Sequence, residues 1–244
     1  MDGKIRLGVS ACILGERVRY DGGHKRDRWV TDELGRYVDF VPVCPEVEAG
    51  FPIPREAFRL VGDAEDPRFI TNKSRVDHTE RMQGFCAKRV EELEAEDLCG
   101  FIFQKNSPSS GMERVKVYGK SGVPAKTGRG VFARAFMAHF PRVPVEEDGR
   151  LHDAGLRENF VERVFAFRRW KDCLAEGRKP GHLVRFHTAH KLLLMAHSPK
   201  HYRELGRLVA DPTSRPAAKL FDAYERLFME ALALRATVKK HGNV

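Results

Sequence analysis

Three short runs of β-forming, apolar residues break off abruptly into polar or thiol-bearing turns, and this recurrence limits the fold more than any other feature of the chain. Ile5 to Ser10 runs into Ala11-Cys12, Val38 to Val43 into Cys44-Pro45-Glu46, and Leu98 to Phe103 into a loop from Gln104 through Gly111. An apolar run that stops at Ser, Pro and Gly has the pattern of a buried strand leaving its sheet. In an open parallel sheet the carboxyl ends of the strands share one edge, where ligands bind. That edge is the candidate site.

Helical patterns separate the runs. A helix is predicted from about His78 to Glu96, with Asp77 as its N-cap and Met82, Phe85, Cys86, Val90 and Leu93 on its apolar face. Arg114 to Tyr118 reads as a short strand, Gly130 to Phe140 as a helix and Arg142 to Val145 as a last strand, while Pro45 to Pro54 reads as a loop. Residues 1–150 therefore predict an α/β domain of Rossmann-like character with a mostly parallel sheet. Gly128-Arg129-Gly130 follows no convincing first strand and lacks a third spaced glycine, so it makes no dinucleotide loop.

From Leu156 onward the pattern is helix alone. Arg157 to Ala175 is predicted as a helix that connects the two parts within residues 151–180, and Gly177 to Gly181 as a breaker. A helical domain then fills 181–244, with helices over Leu183 to Ala196, Ser198-Pro199 to about Val209, and Ala217 to Val238. Charge divides in the same place. Residues 151–244 hold 18 Lys and Arg against 10 Asp and Glu, whereas residues 1–150 hold 25 against 24. A positive field confined to one part favours a polyanionic partner, nucleic acid first, with a merely solvated helical face as the bland alternative.

The start of the chain has no apolar signal region, and the longest strongly apolar run, Leu192 to Ala196, is too short to cross a bilayer, so a cytoplasmic protein without a membrane or secreted partner is expected. Its five cysteines form no disulfide framework. Cys86, Cys99 and Cys173 fall in apolar patterns and read as core, but Cys12 and Cys44 lie just past strands. Two thiols and a polar loop on one edge leave three possibilities: a metal or cluster site, a cysteine nucleophile, or no chemistry. Paired Cys-x-x-Cys spacing for zinc is absent, and His24, His78 and His139 sit in no motif for a general base. Three thiolates gathered from three strand ends could hold an iron-sulfur cluster with one iron left open, a reading that composition alone does not select.

Val9-Ser10-Ala11-Cys12 with Arg19-Tyr20-Asp21-Gly22, then Pro42-Val43-Cys44-Pro45-Glu46-Val47-Glu48-Ala49-Gly50, then Ser107-Pro108-Ser109-Ser110-Gly111, resemble the three signatures of the thiouracil desulfidase family. Pro144-Val145-Glu146-Glu147, Arg157-Glu158-Asn159-Phe160 and the stretch Phe186 to Pro199 resemble longer members, in which that domain is fused to a YbgA-type helical domain. The resemblance implies a four-iron four-sulfur cluster held at positions 12, 44 and 110, and non-redox removal of sulfur from thiolated uracil. It implies Glu46 as the acid/base and Ser107 as the residue that orients substrate or water. For the fused members it implies 4-thiouridine in tRNA, or the thiolated nucleotide, as substrate. Arg168, Arg169, Arg185, His187, His190, Lys191, Lys200 and Arg203 would then meet nucleic acid.

Two departures from the family pattern stand out. The family has its third cluster cysteine in Ser-Pro-Ser-Cys-Gly, where this chain has Ser110, and a hydroxyl is a hard, poor ligand for iron. Either an engineered Cys→Ser form or a member that has lost the chemistry is implied, the latter a non-catalytic RNA-binding module. The family also continues past His241-Gly242-Asn243-Val244, so the helical domain is expected to be cut short.

Overall fold

The computed structural model describes residues 5–119 and 122–236. His241 to Val244 lie outside the described residues. The chain divides into two compact units, Met1–His152 and Asp153–Val244.

The first unit is built on two sheets. One contains β1 (Ile5–Ser10), β2 (Val38–Val43), β5 (Gly100–Phe103) and β8 (Val145–Glu147), in the order β2-β1-β5-β8 and parallel throughout. After β2 the chain returns to the other side of β1, so the strand order reverses between β1 and β5. Such a reversal opens a crevice at the carboxyl ends of the strands. The second sheet contains β3 (Phe58–Gly62), β4 (Pro67–Thr71), β6 (Val115–Tyr118) and β7 (Pro124–Gly128), in the order β4-β3-β6-β7 with antiparallel outer pairs. The sequence pattern foresaw β6 but not the other three strands.

Among the described residues, three α-helices belong to this unit, α1 (Pro45–Glu48), α2 (Thr79–Glu92) and α3 (Val131–His139), beside short 3₁₀ and π turns. The first occupies what reads as a loop in the sequence. Proline at its first position suits a helix start, because its missing N–H would have had no intrahelical partner. The N-cap of α2 is His78 rather than Asp77, whose Oδ1 accepts the backbone N–H of Thr79 at 2.9 Å. Met82, Cys86 and Val90 of α2 are buried in a core with Phe101, Phe103, Phe132 and Phe136. Gly8 has a steric reason: a Cβ there would lie 2.2 Å from the Phe101 ring, which crosses over it from the neighbouring strand.

The second unit is helical: α4 (Ala154–Ala175), α5 (Pro180–His197), α6 (Pro199–Ala210) and α7 (Ala217–Ala233). The expected connecting helix is α4, and it belongs to this unit. Asp153 caps it by accepting the N–H of Leu156 at 2.9 Å. Pro180 begins α5 three residues earlier than the apolar pattern does, and α7 ends at Ala233, short of the expected Val238, which lies outside the described residues. Trp170, fully buried, stacks on Tyr224 with ring centroids 5.3 Å apart and meets Phe186 edge-on at 5.0 Å. Burial of each such aromatic contributes roughly 1.5–3 kcal/mol. Among the described residues, no helix is long and apolar enough to cross a membrane.

Candidate active site

A cavity of about 600 Å³ lies at the carboxyl ends of β1, β2 and β5. Cys12, in the 3₁₀ turn after β1, Cys44, which caps α1, and Ser110, in the loop after β5, all line it, together with Glu46 and Ser107. The three positions quoted for a cluster and the two quoted for proton work therefore converge on one cavity. The residues expected to meet nucleic acid, from Arg168 to Arg203, belong to the second unit.

Both thiols are free, and burial dominates their chemistry. Burial, reinforced by the neighbouring Cys44, pushes the Cys12 thiol up to about 12, and burial also raises Cys44. Without a cation between them the two stay protonated. A metal centre removes that penalty by supplying the opposite charge. The Cys44 Sγ–H points to the Val18 carbonyl at 3.8 Å, and the Cys44 backbone N–H donates to Glu48 Oε1 at 2.7 Å.

Ser110 is buried, and its backbone N–H donates to Ser107 Oγ at 3.0 Å. Among the described residues its own hydroxyl makes no hydrogen bond. A polar side chain on a cavity wall with no internal partner is free to meet whatever fills the cavity. The loop is held tightly behind it. A Cβ on Gly130 would lie 2.4 Å from the Ser109 carbonyl oxygen, and one on Gly111 would lie 2.8 Å from that of Ser107.

Glu46 is fully engaged. Its Oε2 accepts Arg55 Nε at 2.8 Å and also Arg55 Nη2, and its Oε1 accepts the Ser109 hydroxyl at 2.8 Å. Ser109 Oγ lies 3.0 Å from Ser107 Oγ. Neither Arg55 nor Ser109 was singled out from the sequence. Arg55 closes the motif Pro52-Ile53-Pro54-Arg55, which composition hides as an ordinary turn, and Ser109 was visible as part of the Ser107 to Gly111 signature. The cavity wall also carries cations: Arg19, 3.6 Å from Asp21, Lys25, 3.1 Å from Asp148, and Lys105, which among the described residues makes no ion pair.

The second unit treats its quoted residues differently. His190, which the sequence suggested as a phosphate contact, is buried, accepts Arg169 Nε–H at Nε2 (2.9 Å) and donates from Nδ1 to the Phe186 carbonyl (2.8 Å), so both ring nitrogens are engaged within the unit. His187 is half-buried, with Nδ1 3.0 Å from the Tyr224 hydroxyl and its ring stacked on Tyr202. Burial lowers both histidines, which opposes a phosphate-binding charge. Arg168 pairs with Asp172 at 2.9 Å and Arg185 with Glu176, while Lys191, Lys200 and Arg203 are exposed.

Comparison with known proteins agrees with the division into units. A family model described as 2-thiouracil desulfurase matches residues 7–148, and one described as a protein of unknown function, DUF1722, matches residues 191–244. The uncharacterized protein YbbK of Bacillus subtilis (strain 168) is 30% identical over 111 residues, which cover 42% of this chain and 71% of YbbK. Among solved structures, the 4Fe-4S-dependent thiouracil desulfidase TudS superposes with a TM-score of 0.50 and 29% identity, covering 64% of this chain and 97% of TudS. The desulfurase model spans more than half of the residues, including every one that lines the strand-end cavity, and the chain belongs to the 2-thiouracil desulfurase family.

Proposed function

We propose that the chain is an iron-sulfur-dependent desulfidase that replaces the sulfur of a thiolated uracil by oxygen, acting on 4-thiouridine in tRNA or on the thiolated nucleotide in the cytoplasm. The observation that carries this reading is the convergence of Cys12, Cys44, Ser110, Glu46 and Ser107 on one cavity. The 4Fe-4S dependence named for TudS supports the cofactor. The donor set fits a cluster at two corners, where soft thiols face the cavity. The third corner is the Ser110 hydroxyl, which lines the same cavity without an internal partner but is a harder and weaker donor. Cys12, Cys44 and Ser110 would hold the cluster.

A four-iron four-sulfur cluster held there would supply Lewis-acid activation of the thiocarbonyl group. Exchange of C=S for C=O consumes one water and releases sulfide without net redox change, so protons must leave the attacking water and reach the departing sulfur. Glu46 is the group that stores them, held beside Cys44 by the turn of α1. Ser107, which lines the same cavity, orients the water or the pyrimidine. Lys105 and Arg19 at the same cavity suit an anionic nucleotide. In the second unit the exposed Lys191, Lys200 and Arg203 are the residues best placed to meet a phosphate backbone.

The unbonded hydroxyl at position 110 favours a second reading, a non-catalytic RNA-binding module whose cluster site is disabled. Anaerobic purification followed by iron and sulfide analysis separates the two. The desulfidase reading expects Ser110→Cys to hold about four irons and four sulfides per chain and to release sulfide from 4-thiouridine monophosphate, with the Ser110 chain holding less. A Ser110→Cys chain that binds no iron and leaves the thionucleotide intact overturns it.

A further inference from the structure

We propose that Tyr20 is a substrate-binding residue whose ring stacks on the thiolated pyrimidine at the strand-end cavity. The inference rests on the desulfidase reading of that cavity and names the contact that holds the base, as distinct from its phosphate.

The loop that carries Tyr20 leaves the site and returns to it. It starts at Cys12 and closes where the backbone N–H groups of Lys25 and Asp27 donate to the carbonyls of Cys12 (2.8 Å) and Ile13 (2.9 Å). Midway, the Val18 carbonyl meets Cys44 Sγ at 3.8 Å and accepts Arg55 Nη2 at 3.0 Å, and the Tyr20 carbonyl accepts the Arg55 backbone N–H at 2.8 Å. The next turn is fixed as well. Gly22 donates its N–H to the Arg19 carbonyl at 2.9 Å, with a φ of 74° that glycine adopts without a Cβ penalty. Tyr20 therefore sits two residues beyond a carbonyl in contact with one cluster thiol, on a loop whose base is closed on the other.

Aromatic side chains at the cavity are those of Phe58, His24 and Tyr20. Phe58 is already packed, its ring centroid 4.4 Å from that of Phe69 and 4.8 Å from that of Phe51. His24 is tied to its own loop, accepting the Arg26 N–H at Nδ1 (3.2 Å). Tyr20 is 42% exposed, and among the described residues its ring meets only the Arg19 guanidinium, whose carbon lies 5.6 Å from the centroid, while its hydroxyl has no hydrogen-bond partner. An exposed aromatic scattered on a surface needs no explanation. One that lines a cavity on a pinned backbone offers a flat face to a flat ligand, and every nucleobase has a π-face to match it. A pyrimidine held at its sulfur alone would turn about that contact, and a stacked ring fixes its plane.

The test has two arms. In the unloaded chain, titration with 4-thiouridine monophosphate is followed by calorimetry and by the near-ultraviolet absorbance of the thiopyrimidine, which stacking lowers. Tyr20→Ala and Tyr20→Leu are expected to weaken binding about tenfold and to abolish the absorbance change, whereas Tyr20→Phe stays within about twofold of the parent. Equal affinity in Tyr20→Ala overturns the proposal, as does a parental chain that binds no thionucleotide. A Tyr20→Leu chain that binds as well as Tyr20→Phe overturns it too, because an apolar contact without a π-face would then suffice. In the anaerobically reconstituted Ser110→Cys chain, Tyr20→Ala should lower kcat/KM about tenfold. Turnover that ignores Tyr20→Ala overturns the stack and leaves the desulfidase reading intact. Binding that follows the expected order, with no turnover by the parental Ser110→Cys chain, supports the stack and overturns that reading.

Discussion

The two units handle the same kinds of polar residue in opposite ways. At the strand ends of the first unit, thiols and a hydroxyl face open space: Cys12, Cys44 and Ser110 line a cavity of about 600 Å³. On the helices of the second unit, His187 and His190 turn inward and are held by Tyr224, Arg169 and Phe186. Strands of an open parallel sheet end together, so residues just beyond them have nowhere to pack but against one another or a ligand. Helices packed side by side offer partners along their whole length, and a histidine at helical spacing is absorbed by its neighbours. A polar residue type therefore signals a site only when the topology denies it an internal partner.

The largest expected effect breaks the absorbing side of this comparison. Trp170, enclosed by Phe186, Phe221 and Tyr224, anchors the stack onto which His187 and His190 fold. Trp170→Ala should destabilise the second unit by about 3–5 kcal/mol, read by denaturant unfolding followed by far-ultraviolet circular dichroism. A loss below about 1 kcal/mol would mean that the stack does not hold the histidines. The next test strikes the open side. Gly130→Ala places a methyl group against the Ser109 and Ser110 backbone, 2.4 Å from the Ser109 oxygen at its nearest. The cost should be about 1–3 kcal/mol, and the displaced loop should open Cys44 to alkylation, measured as a faster reaction with iodoacetamide.

What the sequence disclosed follows the same physics. The strands β1, β2 and β5 were legible because Val9, Val41 and Phe101 sit in buried apolar runs that end at turn residues, and the turn residues themselves led to the cavity. Three strands of the second sheet were not. Arg59 interrupts β3, and Pro67 and Arg68 open β4, so the short apolar runs around buried Leu60, Phe69 and Ile70 are broken, while β7, Pro-Ala-Lys-Thr-Gly, has the composition of an exposed loop and only pairing makes it a strand. At the site, Cys12, Cys44 and Glu46 carried recognisable chemistry in their types. Arg55 did not, since its role depends on distant partners, Glu46 and the Val18 carbonyl, that only the folded chain brings within reach.

The comparison sharpens on adjacent residues of one helix. His190 is buried and Lys191 exposed, so residue type alone would rank both as phosphate contacts. His190→Ala should cost about 1–3 kcal/mol, because Arg169 Nε–H loses its acceptor, and should leave the salt dependence of the proposed tRNA binding unchanged. Lys191→Ala should leave stability within about 0.5 kcal/mol and reduce the log–log salt slope by about 1. Measuring both variants by chemical denaturation and by fluorescence anisotropy over a salt series tests the division. Reversed outcomes would mean that the helical face is read wrongly.

The smallest effect separates thiols of one unit by position. Cys86 lies in the core of the first unit, and burial alone pushes its thiol up to about 12 from an ordinary 9.0, whereas at Cys12 the neighbouring Cys44 adds to burial. The unfolded chain loses the Cys86 proton near 9 and the folded chain keeps it, so this contribution is fully present below about pH 9 and is lost as pH rises toward 12. The slope is at most about 1.4 kcal/mol per pH unit. Cys86→Ala removes it, and the stability gap between parent and variant should therefore narrow by about 1 kcal/mol between pH 8 and pH 10, followed by urea unfolding at each pH. A gap that stays constant would show that this thiol ionises as readily in the fold as out of it, and burial would no longer distinguish a core cysteine from one placed to meet a ligand.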